Sequence, residues 1–291
     1  MLNIRNLNKS FDTYAVLKKL NLDIEEATIF GLVGMNGAGK TTLLRCITGI
    51  YEADGGEIRF NGSNTFNDVS IRRDIFFIAD DPYYPYASTI KTLKGYYQAF
   101  YDFNEDIYDK YLKIFDLDEN KQLSSFSKGM KRQAILLMAL AIKPKLLLLD
   151  EAFDGLDPIV RMHLKQALSD LMEDNNSIII ISSHNLKELE DICDTYGILE
   201  NGQIKTFGDL LESKDNINKY QLAFKKEKDE SVFADLDILN FSKEGSIYYL
   251  VIRGNKEEVI KKLEKLKPLI LDCIKINFEE LFIYLHEGGK E

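Results

Sequence analysis

The stretch "TIFGLVGMNGAGKTTLLRCITGI", Thr28 to Ile50, constrains the fold more than any other part of the chain. A continuous apolar run of the buried-strand type leads into a glycine turn, and a helical pattern follows at once. Inside it, Gly34 to Thr41 fits the spacing G-x-x-x-x-G-K-[ST]. Glycines at that spacing let backbone N–H groups turn inward around a phosphate chain. The lysine adds a point charge on the β- and γ-phosphates, and the hydroxyl can ligate Mg2+. Asn36, Gly37, Ala38, Gly39, Lys40, Thr41 and Thr42 are therefore candidate phosphate-binding residues, with Thr41 also a metal candidate. A plain glycine turn is the competing explanation, and the strand before and helix after argue against it.

A second motif agrees with the first. "KLLLLDE", Lys145 to Glu151, delivers two acids to the carboxyl end of an apolar strand, where α/β folds place ligands. Asp150 would hold Mg2+ through water, and Glu151 would face the attacking water as general base. One acid would suit a helix cap; two after a run of leucines do not. "IISSHN", Ile180 to Asn185, ends the next apolar strand with His184, where a γ-phosphate should lie. Ser183 or Asn185 could also cap the helix that follows.

Bulk properties set the frame. At 291 residues the chain suits one large domain plus a small one. Hydrophobic residues at 45% against 29% charged allow a real core. A net charge of -10 argues against a general nucleic-acid binder. Cys46, Cys193 and Cys273 lack metal spacing and read as buried free thiols in a reducing compartment. The N-terminus has no secretory apolar region. The run "AILLMALAI" is too short to span a bilayer, so a membrane role would be borrowed from a partner.

Along the chain, "MLNIRNLNKSF" and "AVLKKLNLDI" alternate like antiparallel strands with one solvated face. Residues 82–142 read as a mostly helical subdomain rich in aromatics. "KLLLLD" and "SIIIISSH" flank a helix as a β-α-β unit. "YGILENGQIKTFGD" reads as a hairpin around Asn201 and Gly202. The expected division is a large α/β domain over 1–215 and an accessory α+β domain over 216–291, ferredoxin-like in its succession of elements.

With these motifs in order, residues 1–215 resemble the ATP-binding subunit of an ABC transporter. "GMNGAGKTT" looks like its Walker A, "FSKGM" its signature, "LLLLDE" its Walker B, "AFDGLDP" its D-loop, and "SSH" contains its switch histidine. The resemblance implies an α/β P-loop ATPase with a mixed parallel core sheet, an antiparallel β subdomain and a helical subdomain. It implies ATP and Mg2+ as cofactors and Phe11 stacking on adenine, with Val16 beside it and Tyr14 as the alternative. It implies head-to-tail pairing with a second ATP-binding subunit, so that Ser127 and Gly129 touch the γ-phosphate held by the other chain and Asp157 lies across the same interface. A membrane-spanning permease would be the further partner, placing the subunit on the cytoplasmic face of the membrane.

Two departures stand out. Lys128 and Met130 depart from the common signature LSGGQ, as in subunits resembling exporters. Asp80 occupies the position of the Q-loop glutamine, where it would still bind Mg2+ or else start a turn with Asp81 and Pro82. The aromatics of "PYYPYASTIKTLKGYYQAFYDF" suit either a permease-facing surface or packing within the helical subdomain. The expectation is an ATPase that powers an ABC transporter through ATP-driven dimer closure, with export across the cytoplasmic membrane implied by the exporter-like signature. A soluble ABC ATPase without transport is the alternative, disfavoured by the single Walker A and the lack of a long heptad run.

Overall fold

The computed structural model describes residues 1–153 and 156–287, the side chains at 211, 214, 215 and 285–287 aside. It divides into two units, Met1–Phe207 and Gly208–Glu291. The first begins with β1 (Leu2–Phe11), β2 (Tyr14–Ile24), β3 (Thr28–Val33), α1 (Lys40–Ile47), β4 (Gly55–Phe60), β5 (Ser63–Asn64) and β6 (Ile75–Ile78). Three helices follow, α2 (Ile90–Gln98), α3 (Glu105–Ile114) and α4 (Lys128–Ile142). Then come β7 (Leu146–Asp150), α5 (Pro158–Asn175), β8 (Ile178–Ser183), α6 (Leu186–Glu190), β9 (Thr195–Glu200) and β10 (Gln203–Asp209).

Two sheets organise this unit. β2-β1-β4-β5 is antiparallel, and its alternating sequence buries Leu2, Ile4, Leu20 and Leu22 while their neighbours face outward. The second sheet runs β10-β9-β3-β8-β7-β6, with parallel ladders from β9 through to β6. Its central strands are apolar throughout because both faces are covered. Phe30, Leu32, Leu148 and Ile180 join α1 and the antiparallel sheet in one core. The parallel strands point their carboxyl ends to one edge, which is where the loop before α1, Asp150 and Ser183 emerge.

The helical region is less helical than its sequence suggests. Pro82 to Ala87 forms no helix, since two prolines there remove donors and disfavour helical backbone before them. Helix α2 starts instead at a capping box of Thr89 and Thr92.

The second unit contains α7 (Leu210–Asn216), β11 (Ile217–Ala223), β12 (Asp237–Glu244), β13 (Ile247–Arg253), α8 (Lys256–Lys265), β14 (Ile270–Ile274) and α9 (Phe278–Glu287). A short 3-10 turn, Glu230–Phe233, lies between β11 and β12. The antiparallel sheet order is β12-β13-β11-β14, with a core that includes Tyr220, Phe233, Tyr248 and Leu263. The division falls within β10, ahead of the expected 215/216 boundary. Cys46 and Cys193 are buried free thiols, whereas Cys273 is half-buried; burial pushes the Cys46 thiol up to about 11.

Candidate functional site

The loop from β3 into α1 is shaped by two left-handed glycines, Gly37 at φ 81° and Gly39 at φ 107°. A Cβ on Gly39 would also come within 3.0 Å of Val16 Cγ1, so conformation and space both demand glycine there. Gly39 is the N-cap of α1 and supplies no side-chain acceptor, and no acid sits in the first turn. The leading N–H groups thus suit an external anion. Lys40 is only 6% exposed; its Nζ donates to Gly34 O at 2.7 Å and lies 3.4 Å from Glu151 Oε1. Among the described residues Asn36 and Gly37 are exposed, while Thr42 is half-buried on α1 beside Thr41.

Beside this cradle, β7 and β8 place Asp150 next to Ser182 in register. Thr41 Oγ1 donates to Asp150 Oδ2 at 2.7 Å, and Ser182 Oγ donates to Asp150 Oδ1 at 2.5 Å. Burial of the Asp150 carboxylate is therefore offset by two hydroxyl donors. The adjacent Thr41 hydroxyl and Asp150 carboxylate fit Mg2+, which takes few protein ligands and completes its shell with phosphate oxygens and water.

Glu151 follows with left-handed backbone, φ 51°, a conformation that costs a non-glycine residue on the order of 1–3 kcal/mol. Its N–H donates toward Ser182 O at 3.1 Å and Ser182 Oγ at 3.2 Å, which hold the strained residue in place. The bend sends the carboxylate back over the cradle. Its Oε2 lies 2.9 Å from His184 Nδ1 and accepts from His184 N–H at 3.4 Å. Lys40, Glu151 and His184 consequently form one chain of contacts, with His184 at its exposed end.

Comparison with known proteins identifies the family. The ABC transporter family model matches residues 17–154. The chain is 32% identical over 294 residues to the ABC transporter ATP-binding protein YtrB of Bacillus subtilis, covering 100% of this chain and 99% of that protein. This chain is an ABC transporter ATP-binding subunit. It is also 32% identical over 203 residues to the bacitracin transport ATP-binding protein BcrA of Bacillus licheniformis, covering 68% of this chain and 66% of that one. A solved ATP-binding subunit of an ABC transporter superposes with a TM-score of 0.68 at 28% identity, covering 74% of this chain and 92% of that structure. As a member of this family the subunit binds and hydrolyses ATP to power transport.

The remaining predicted residues of this ABC subunit fall in several places. Phe11 is 42% exposed at the end of β1, edge-on to Tyr51 at 5.4 Å, with Lys9 Nζ 5.4 Å from its ring centre. Val16 lies against the Gly39 turn, and Tyr14 is more exposed than Phe11. Ser127 caps α4, its Oγ accepting from Met130 N–H at 3.2 Å, and Gly129 lies in the first turn. Asp157 caps α5, its Oδ1 accepting from Ile159 and Val160 N–H, both at 3.0 Å. Asp154 and Gly155 of the D-loop lie outside the described residues.

Asp80 lies beside the first turn of α4. Its carboxylate is engaged by the Arg132 guanidinium, and Lys128 Nζ is 3.7 Å away. The aromatics of the helical region divide in two. Tyr97 and Tyr101 pack on Phe76, with ring centres 5.3 and 5.9 Å from it. Tyr83, Tyr86, Tyr96 and Phe100 are exposed instead. A groove of about 510 Å³ is lined by Tyr83, Pro85, Tyr96, Tyr97, Phe100 and Tyr101, among others.

Proposed function

We propose that two copies of this subunit, or one copy and a close homologue, close head to tail around two ATP molecules. Each nucleotide would lie on the P-loop of one chain and against Ser127 and Gly129 of the other. Phe11 would stack on adenine with Val16 beside it, and Asn36 to Thr42 would enclose the phosphates. Thr41 and Asp150 would hold Mg2+, which supplies charge neutralisation between the phosphates when bound. Glu151 would take a proton from the water whose oxygen attacks the γ-phosphorus in line, as the bond from that phosphorus to the ADP oxygen breaks. Lys40 and His184 would stabilise the transferring group, and Asp157 would sit at the closed interface. The observation that carries this reading is the contact chain Lys40–Glu151–His184 above the Thr41–Asp150–Ser182 bonds.

Transport needs a pathway across the membrane, and no helix among the described residues is long and apolar enough to cross one. The exposed aromatic groove beside Tyr83 and Phe100 would receive a cytoplasmic segment of the membrane-spanning permease, holding the subunit on the inner membrane face. The signature Ser127-Lys128-Gly129-Met130, a variant shared with exporter-like subunits, favours export.

Mixing Ser127→Arg chains with Lys40→Ala chains tests the shared site. Each variant alone should hydrolyse little ATP. The mixture should recover activity, because every mixed dimer keeps one site with both Lys40 and the opposing Ser127. No recovery, together with no ATP-driven dimer, would sink the paired arrangement.

A further inference from the structure

The start of α4 carries three cations, Lys128, Lys131 and Arg132, and no acid in its first turn. Their spacing of i, i+3 and i+4 places them on one helix face. Positive side chains at a helix N-terminus oppose the helix dipole, so this arrangement needs an anion from elsewhere. The segment Asp80 to Tyr84 supplies it. Arg132, 1% exposed, reaches both the carboxylate of Asp80 and its carbonyl oxygen, the latter at 3.1 Å. Lys128 Nζ lies 3.7 Å from the same carboxylate, and Lys131 Nζ lies 5.8 Å from the Tyr84 ring centre. All three cations of this face therefore contact one five-residue segment.

We infer that Asp80 is a positioning residue, not a metal ligand: it latches the segment that runs into the aromatic groove onto the first turn of the signature helix. A neutral glutamine could not balance a buried guanidinium as a carboxylate does. Asp80 and Arg132 thus form a unit that ties the acid at the Q-loop position to the base on α4. Through that unit a displacement of the Asp80–Tyr84 segment would reach the first turn of α4, which carries Gly129. This inference rests on the proposed role of the signature for its effect on turnover, but the latch itself can be read without it.

The test uses the full chain with Asp80→Asn, Asp80→Glu and the charge exchange Asp80→Arg with Arg132→Asp. Amide hydrogen exchange over 127–133 reads the latch; kcat, ATP KM and half-saturating Mg2+ read its consequence. Asp80→Asn should speed exchange at those amides by about tenfold, the scale of one lost charge-assisted hydrogen bond. It should lower kcat more than it changes KM and leave half-saturating Mg2+ unchanged. Asp80→Glu should keep protection and turnover near the parent's. The charge exchange should restore protection relative to Asp80→Arg alone. The inference is overturned if Asp80→Asn raises half-saturating Mg2+ about tenfold, a shift of 1.4 kcal/mol, with exchange unchanged, the signature of a lost metal ligand. It is also overturned if Asp80→Asn leaves exchange and kcat at parent values, or if Asp80→Glu behaves as Asp80→Asn does. Failure of the mixed-chain experiment would remove the link to turnover while leaving the exchange result to stand.

Discussion

Ser182 serves two neighbours at once: its hydroxyl donates to Asp150 and accepts from the Glu151 N–H. Replacing Ser182 by Ala should destabilise the fold by about 1–3 kcal/mol, because a buried carboxylate loses a donor. Turnover should fall further than stability explains, since Glu151 loses one restraint on its left-handed backbone. A variant with the parent's kcat, measured well below its melting temperature, would show that Ser182 merely packs. The glycine loop, the paired acids and His184 are legible in sequence because their chemistry dictates residue type and spacing. Ser182 is not, since a serine at a strand end reads equally well as a cap; only the register of β7 against β8 reveals it. Asp80 hides its pairing for a related reason. Its partner Arg132 is 52 residues away, and nothing local announces the pair. The usable signal was on the other side, in a helix start with three bases and no acid.

At the scale of elements, polar residues ahead of apolar runs mark helix starts well. Thr89, Asn104, Ser127 and Asp157 all cap the helices that follow them. Thr89→Ala removes half of the α2 capping box and should cost about 1 kcal/mol. In a unit of this size that lowers Tm by about 2–4 °C. Calorimetry that finds no change would mean α2 is held by packing of Leu93 and Tyr97 alone. The segment from Pro82 to Ala87 was the less legible element. Its aromatic density resembles a helical face, but its prolines decide the backbone, and the tyrosines split between packing and exposure only in three dimensions.

For the whole molecule, the two units each close a core of their own, one around Leu32 and Leu148 and one around Tyr220 and Leu250. A chain ended after Asp209 should therefore fold and bind ATP, as isothermal titration with a nonhydrolysable ATP analogue would check; loss of binding would mean that the second unit completes the first. The α+β character of the second unit is legible from its succession of strands and helices. Its sheet places β11 between β13 and β14, pairing across long intervening stretches. The parallel ladder of β7 and β8 has a consequence for how such a chain can change over generations. Leu146 to Asp150 run rung for rung with Ile178 to Ser182, so the apolar pairs behind the site gauge the distance to Asp150 and Ser182. Swaps among aliphatic residues leave that gauge intact, whereas one residue gained or lost in either strand turns every later side chain to the opposite face. Drift in these two strands is thus free in composition and forbidden in length.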